Sequence, residues 1–251
     1  MPMSTRLRSL ASWLALASLM LALSGCASLQ PAGTVADAEG WHHVPLPGKT
    51  PTRYAASHKD GRAAVAAVSE SSASMWRRRL DFDSAALGEI SFAWWVPALP
   101  PQASVANVDQ EDAAARVMFG FQGDISRLPA RTRMMFDLAE ALTGEKPPYA
   151  TLMYVWDAKA PVGSVIINPR SDRVRKIVVD TGADGLGRWR DHRRDLRADF
   201  KLAFGEEPGR LVSVAMMTDS DNTRSQARAW YGAVKVPEQH CGATAPPGCK
   251  P

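Results

Sequence analysis

The side chains most able to do chemistry in this sequence fall in two acidic clusters. Asp109, Glu111 and Asp112 precede an apolar stretch opened by Arg116, and Asp219, Asp221 and Asn222 follow another that ends at Met217. Oxygen donors this dense at strand ends suit a hard cation such as Ca²⁺, or hydrogen bonds to sugar hydroxyls. Two of them could also serve as acid and base in glycoside cleavage, which sets its carboxyl groups about 5 to 9.5 Å apart. Asp and Asn also favour turns, where they bond their own backbone, and that plainer reading stays open. Asp219-Ser220-Asp221 starts like an EF-hand loop, but its sixth position is Arg224 rather than Gly and its twelfth is Trp230 rather than Glu.

Aromatic side chains offer a second kind of contact. Trp94 and Trp95 are neighbours, so on a strand one points into the core and the other away. An outward Trp over a sheet can stack on a sugar, and Trp156, Trp230 and Tyr231 are further candidates. The expected ligand-binding set is therefore Asp109, Asp112, Arg116, Trp156, Asp219, Asp221 and Asn222. Common catalytic signatures are missing: there is no GxSxG, HExxH, GxxxxGK or strand-linked GxGxxG. His42 and His43 read as an inert surface pair, and His192 as a solvated side chain among helix charges.

Strands must position these groups. Ile90, Phe92, Trp94 and Val96 alternate with Ser91, Ala93 and Trp95, and Val117, Phe119 and Phe121 repeat the pattern. Leu152 to Trp156 is an almost wholly apolar run, suited to a central strand. Ser164 to Asn168 and Val174 to Val179 flank a Pro-Arg-Ser-Asp turn as a hairpin, and Asp60-Gly61 joins Thr52 to Ala56 with Ala63 to Val68 in another, unless that Ala-rich stretch is helix. Val212, Val214 and Met216 alternate, as do Trp230, Gly232, Val234 and Val236.

Helical spacing appears twice. Met135, Leu138 and Leu142 share one side of a helix over 129–143, and Trp189, Leu196, Phe200 and Ala203 share one over 187–204. The expected fold is mainly β: an antiparallel two-sheet β-sandwich, jelly-roll-like, with two inserted α-helices.

The chain has 251 residues, 45% of them hydrophobic, with 30 basic and 26 acidic side chains. That composition excludes collagen-like, disordered and multi-span membrane classes. Arg6 and Arg8 lead into an apolar run from Leu10 to Leu23, too short to span a bilayer comfortably and suited to a signal peptide. The run ends in Leu23-Ser24-Gly25-Cys26, which resembles the lipobox of bacterial lipoproteins, whose Cys carries diacylglycerol. Cleavage there removes two of the 30 basic residues and none of the 26 acidic ones, halving the formal charge of +4. Nucleic acid loses its main support as a partner.

Ala27 and Ser28, with no Asp, resemble the signal for outer-membrane release, so a periplasm-facing lipid anchor is expected. The order along the chain is then a signal peptide over 1–25, a lipidated tether over 26–40, one sandwich domain over 41–237 and a tail over 238–251. The tether is polar and spans roughly 20 Å as a coil. In the tail, Cys241 and Cys249 suit a disulfide in that compartment, worth roughly 2.5 kcal/mol in the chain-entropy account. A zinc site with His240 would lack a fourth ligand.

The run Asp109 to Arg116, the segment Leu152 to Trp156, Arg194 to Gly205, Met217 to Thr223 and Ala229 to Gly232 resemble the bacterial family known as domain of unknown function 3047. The likeness covers about Trp41 to Val236. It implies an exported protein without established activity, and it implies that Asp112, Arg116, Arg194, Asp199, Asp219, Asp221 and Asn222 are family-pattern positions. Members often carry a tandem Asp pair where this chain has Glu111-Asp112.

Three functions follow from these residues. One is a lipid-anchored module binding a polysaccharide or peptidoglycan; another is a hydrolase of such glycans using Asp112 and Asp219. The third is a structural lipoprotein in which Arg116, Arg194 and the acids form a buried ion network. The first two need the loop entering Arg116 and the loop leaving Met217 to meet.

Overall fold

A computed structural model describes residues 40–237. Cys26, Cys241 and Cys249 lie outside the described residues, and with them the expected lipidation, tether and disulfide. Twelve strands form the body: β1 (Trp41–Pro45), β2 (Arg53–Lys59), β3 (Arg62–Glu70), β4 (Ser74–Phe82), β5 (Glu89–Trp95), β6 (Arg116–Phe121), β7 (Ala150–Asp157), β8 (Val165–Asn168), β9 (Ser171–Thr181), β10 (Trp189–Asp195), β11 (Leu211–Met217) and β12 (Gln226–Tyr231). Two helices accompany them, α1 (Ala130–Thr143) and α2 (Leu196–Phe204).

The strands make two sheets, ordered β1-β4-β11-β6-β7-β9-β8 and β10-β5-β12-β3-β2. Period-two alternation drives their packing. Ile90, Phe92 and Trp94 of β5 face Val117, Phe119 and Phe121 of β6 and Leu152, Tyr154 and Trp156 of β7 across one core. The β-sandwich is the one the alternation predicts, with a single departure: β7 and β9 run parallel, and every other strand pair is antiparallel. The Ala-rich stretch is strand, and its Asp60-Gly61 turn has positive φ at both residues, as a tight hairpin requires.

Where periodicity misleads, charge explains it. The helix expected over 187–204 begins only at Leu196; its first half is β10, paired with β5. Arg190, His192 and Arg194 share one side of that strand, and each finds a carboxylate. Asp180 takes Arg190 and His192, while Asp199 takes Arg194. Asp195 then accepts from the Ala198 N–H and starts α2. His192 is thus half-buried beside Asp180, not solvated.

Strand β4 has no apolar alternation to announce it, because Arg77, Arg78 and Arg79 fill its middle. Arg77 and Arg79 bond Glu145, and Arg78 lies 5.6 Å over the Trp41 ring. Helix α1 is where expected, and its apolar side faces outward. Met135, Leu138 and Leu142 are 50%, 51% and 64% exposed, and only Phe136 is buried. No helix among the described residues is long and apolar enough to cross a membrane.

The turn into β11 lies hard against the end of β6. A Cβ on Gly209 would stand 2.1 Å from the Gln122 carbonyl oxygen, and Gln122 N–H donates to Arg210 O beside it. Gly209→Ala is expected to cost about 2–3 kcal/mol, a fall in Tm of roughly 4–12 °C. An unchanged thermal melt would contradict this close approach.

Candidate functional site

Alternation that sends Val117, Phe119, Val214 and Met216 into the core leaves the opposite face of the seven-stranded sheet to Arg116, Met118, Ala215, Met217, Met75 and Met153. Over this face lies a groove of about 770 Å³. The segment from β1 to Lys49 forms one wall, the C-terminal turn of α1 with Pro147 and Pro148 another, and Glu111, Arg170 and Asn222 close one end.

At that end the two acidic loops meet. Asp112 accepts from the backbone N–H of Asn222 and Thr223 at 3.1 and 2.7 Å and from Thr223 Oγ1 at 2.6 Å. Asp219 accepts from the Ala113 N–H at 2.9 Å and from Arg116 Nη2 at 2.8 Å. The loop entering β6 and the loop leaving β11 are therefore fastened side chain to backbone in both directions.

Beneath them sits a buried group of four charges. Lys176, fully buried on β9, donates to Glu111 Oε1 at 2.7 Å and to Val105 O at 2.6 Å. Arg116 donates to the Glu111 carbonyl at 2.7 Å and has its Nη1 at 3.6 Å from Glu111 Oε1. Burial and the nearby Arg116 push the Lys176 ammonium below its ordinary value. Burial works against the Arg116 guanidinium too, but Asp219, Glu111 and Asp112 hold it above its ordinary value. Glu111 Oε2, on a residue 5% exposed, has no hydrogen-bond partner among the described residues; the Arg170 guanidinium lies 3.6 Å away.

The other predicted residues distribute themselves clearly. Arg116, Asp219, Asp221 and Asn222 line the groove, with Asp221 bonded to Lys49 at the rim. Asp112 stands behind it as a fastener. Asp109 is exposed outside it, and Trp156 lies in the core with its Nε1 donating to Gly182 O. Arg194 and Asp199 join Tyr154 in a separate cluster, away from Arg116. The sequence reading missed Lys49, Arg170 and Lys176. Only Lys176 carried a signal, as a lone amine in the buried run of β9.

Asp112, Asp219 and Asp221 could each bring an oxygen within 4.8 Å of the others, the geometry of a cation site. The donors they already hold argue against Ca²⁺: Asp112 and Asp219 accept backbone N–H groups, Asp219 also accepts Arg116, and Asp221 accepts the Lys49 ammonium. The backbone donors could stay, but a hard cation would have to displace the Lys49 ammonium and lie beside the Arg116 guanidinium, whose positive charges oppose it.

The outward tryptophans fall on the other sheet. Trp94 is fully buried, whereas Trp189, Trp95 and Trp230 face each other across β10, β5 and β12. The tip of the β2–β3 hairpin covers this row. Lys59 Nζ lies 3.9 Å over Trp95, Lys59 O accepts from Trp189 Nε1 and Arg62 pairs with Asp191.

Burial pushes the Asp219 carboxyl up to about 7 from an ordinary 3.8, against Arg116 and the Ala113 N–H. A carboxyl that keeps its proton longer in the fold than in the open chain loses stability as pH rises from its unfolded value toward its folded one. The stability difference between wild type and Asp219→Asn is therefore expected to move in favour of the Asn variant between about pH 4 and 7, by at most about 4 kcal/mol. Paired thermal melts measure it, since other carboxylates cancel in the difference. Movement in favour of wild type would mean that the ionised Arg116–Asp219 pair prevails.

No curated protein matches this chain. Solved structures with overall likeness include the family 11 carbohydrate-binding module of the cellulosomal cellulase Lic26A-Cel5E of Clostridium thermocellum, at 12% identity and a TM-score of 0.36, covering 81% of this chain and 92% of that one. Endoglucanase cel12A from Rhodothermus marinus shows 7% identity and a TM-score of 0.44, with 80% and 92% covered. The xyloglucanase domain of NopAA from Sinorhizobium fredii shows 8% and 0.40, with 78% and 92% covered. Likeness at this level identifies neither ligand nor chemistry. The match to a family spans residues 39–235, and with it every strand of both sheets, so the chain belongs to the family described as Protein of unknown function (DUF3047).

Proposed function

We propose that this protein is a non-catalytic binding module of the bacterial envelope, held on the periplasmic side of the outer membrane by lipid on Cys26, and that it takes a glycan at the Glu111 end of its groove. The observation that carries the reading is Glu111 Oε2 on the groove wall, buried and without a hydrogen bond among the described residues, with only Arg170 Nη1 at 3.6 Å beside it. A buried acceptor left unpaired costs about 1–3 kcal/mol, and a ligand hydroxyl removes that cost. With Asp219 ionised the charges around it are balanced, Arg116, Lys176 and Arg170 against Glu111, Asp219 and Asp112. Such a site favours a neutral, hydroxyl-rich ligand over an ion. Arg170 and Asn222 stand at the rim with further donors.

Hydrolysis of the same glycans is the second reading, and one observation favours it: Asp219 lines the groove and titrates near neutrality, as a general acid should. Its proposed partner Asp112 is spent on the Asn222 and Thr223 amides, which supports binding over cleavage.

Titration of the full mature chain with soluble peptidoglycan fragments and envelope polysaccharides tests the proposal. Arg170 is 60% exposed, donates to Val108 O at 3.1 Å and makes only a long contact to Glu111, so Arg170→Ala is expected to cost about 1 kcal/mol of stability. Binding should weaken about tenfold, or about 1.4 kcal/mol. Failure to bind any such glycan overturns the proposal, and reducing-end release that disappears in Asp219→Asn moves the protein to the hydrolases.

A further inference from the structure

The groove is far larger than the polar end needs, and the remainder has a different character. Its floor is Met75, Met118, Met153, Met217 and Ala215, and no Trp, Tyr or Phe among the described residues lines it. Sugars stack on aromatic rings. Unbranched, polarizable methionines instead mould to flexible apolar chains. The volume of about 770 Å³ is that of a site built for a sizeable small molecule.

The apolar floor does not stop at the groove mouth. Leu142 of α1 lines the groove while 64% exposed, and Leu138, Met135 and Met134 carry the same apolar surface outward at 51%, 50% and 63% exposure. A contiguous exposed apolar surface of this kind marks a contact site. Charge does not select the surface: Arg127, Arg131, Arg133 and Lys146 are matched around this helix by Asp124, Asp137, Glu140 and Glu145, with Lys146 paired to Glu140, so the apolar stripe is what suits a lipid. The chain also enters the domain through β1, His42 to Leu46 line the groove, and Cys26, the proposed lipid site, precedes β1 by 15 residues in the sequence.

From these features we infer that the ligand is a glycolipid drawn from the membrane that anchors the protein, with its sugar at the Glu111 end, its acyl chain along the methionine floor and α1 at the mouth. The inference rests on the glycan reading above and adds the acyl chain to it. Binding involves no covalent step; the chain exchanges bilayer for protein contacts as it passes along α1.

Photolabelling tests the acyl chain directly. The full mature, acylated chain is placed in vesicles of phosphatidylethanolamine and phosphatidylglycerol containing glucosyl diacylglycerol with a diazirine on one acyl chain, irradiated, digested and mapped by mass spectrometry. Label is expected on the peptides that carry Met118, Met153 and Met217. It should fall about tenfold in Ala215→Phe, whose ring fills the floor, and comparably in the double variant Leu138→Glu, Leu142→Glu, whose side chains are exposed in the native fold. Melting curves check both variants, and the helix variant keeps the test decisive if the floor variant does not fold. Label confined to α1 or to the tether, or undiminished in the folded variants, overturns the inference. If deacylated saccharide binds while the groove stays unlabelled, the acyl chain is wrong and the glycan reading survives. Equal labelling by phosphatidylglycerol carrying the same photoreactive chain removes the sugar and leaves only the apolar contact.

Discussion

Lys176 is an amine with no exposure at all, flanked across the sheet by Met153 and Ile166, and the surrounding architecture follows from what keeps it there. Taking an ammonium and a guanidinium out of water costs several kcal/mol each, so Lys176 and Arg116 demand Glu111 and Asp219 nearby. Those two acids come from different loops, one entering β6 and the other leaving β11. Satisfying the charges therefore pulls both loops onto the end of the seven-stranded sheet. Removing any one member would leave an uncompensated charge in a dry place, which is more destabilising than never having had the pair. The polar end of the groove is thus held by necessity, and its single unmatched acceptor stands out against that background.

Most other acids in the fold work as fasteners. Asp157 accepts the N–H groups of Val105, Lys159 and Ala160, and so pins the start of the same loop that Asp219 pins at its end. Asp180 collects Trp94 Nε1, His192 and Arg190 between the sheets. Burial opposes its charge, but those three bonds hold its carboxyl below the ordinary value. Asp199 does the same for Arg194 and Tyr154 at the start of α2. These side chains spend their oxygens on the protein itself, which separates them from Glu111. Acid density in the sequence is therefore a poor guide to a site; an acceptor with nothing to accept is a better one.

The sandwich and most of its strands were legible because period-two apolar alternation survives in β5, β6, β7 and β11, and because the turn of the β2–β3 hairpin carries its own signature. What escaped did so for a common reason. Strand β4 carries three consecutive arginines, and β10 carries four basic residues and two acids, so their apolar pattern is hidden until Glu145, Asp180 and Asp199 are seen to meet those charges. Pairing is non-local information, and a one-dimensional pattern cannot hold it. The meeting of the two acidic loops was legible from their positions at strand ends. Lys49 and Arg170 were not, because each reaches the groove from an exposed turn whose direction only the fold decides.

Helix α1 shows the limit of periodicity in another way. Its spacing was legible and its direction was not, since an apolar stripe states that a partner is wanted without stating whether the partner is the core. Here the core is already closed by the two sheets, and of the helix only Phe136 is buried, outside that core. The same contrast distinguishes the two outer faces. On the five-stranded sheet, Trp95, Trp189 and Trp230 are met by Lys59 and Arg62 from the chain's own hairpin, so their demand is satisfied internally. On the seven-stranded sheet, no comparable segment among the described residues fills the methionine floor. Four methionines and a stripe of exposed leucine and methionine lie together beside a carboxylate oxygen that has no hydrogen bond among the described residues and only the Arg170 guanidinium at 3.6 Å. Exposed apolar surface and an unbonded acceptor are each costly, and the proposed glycolipid is the ligand that would cover both.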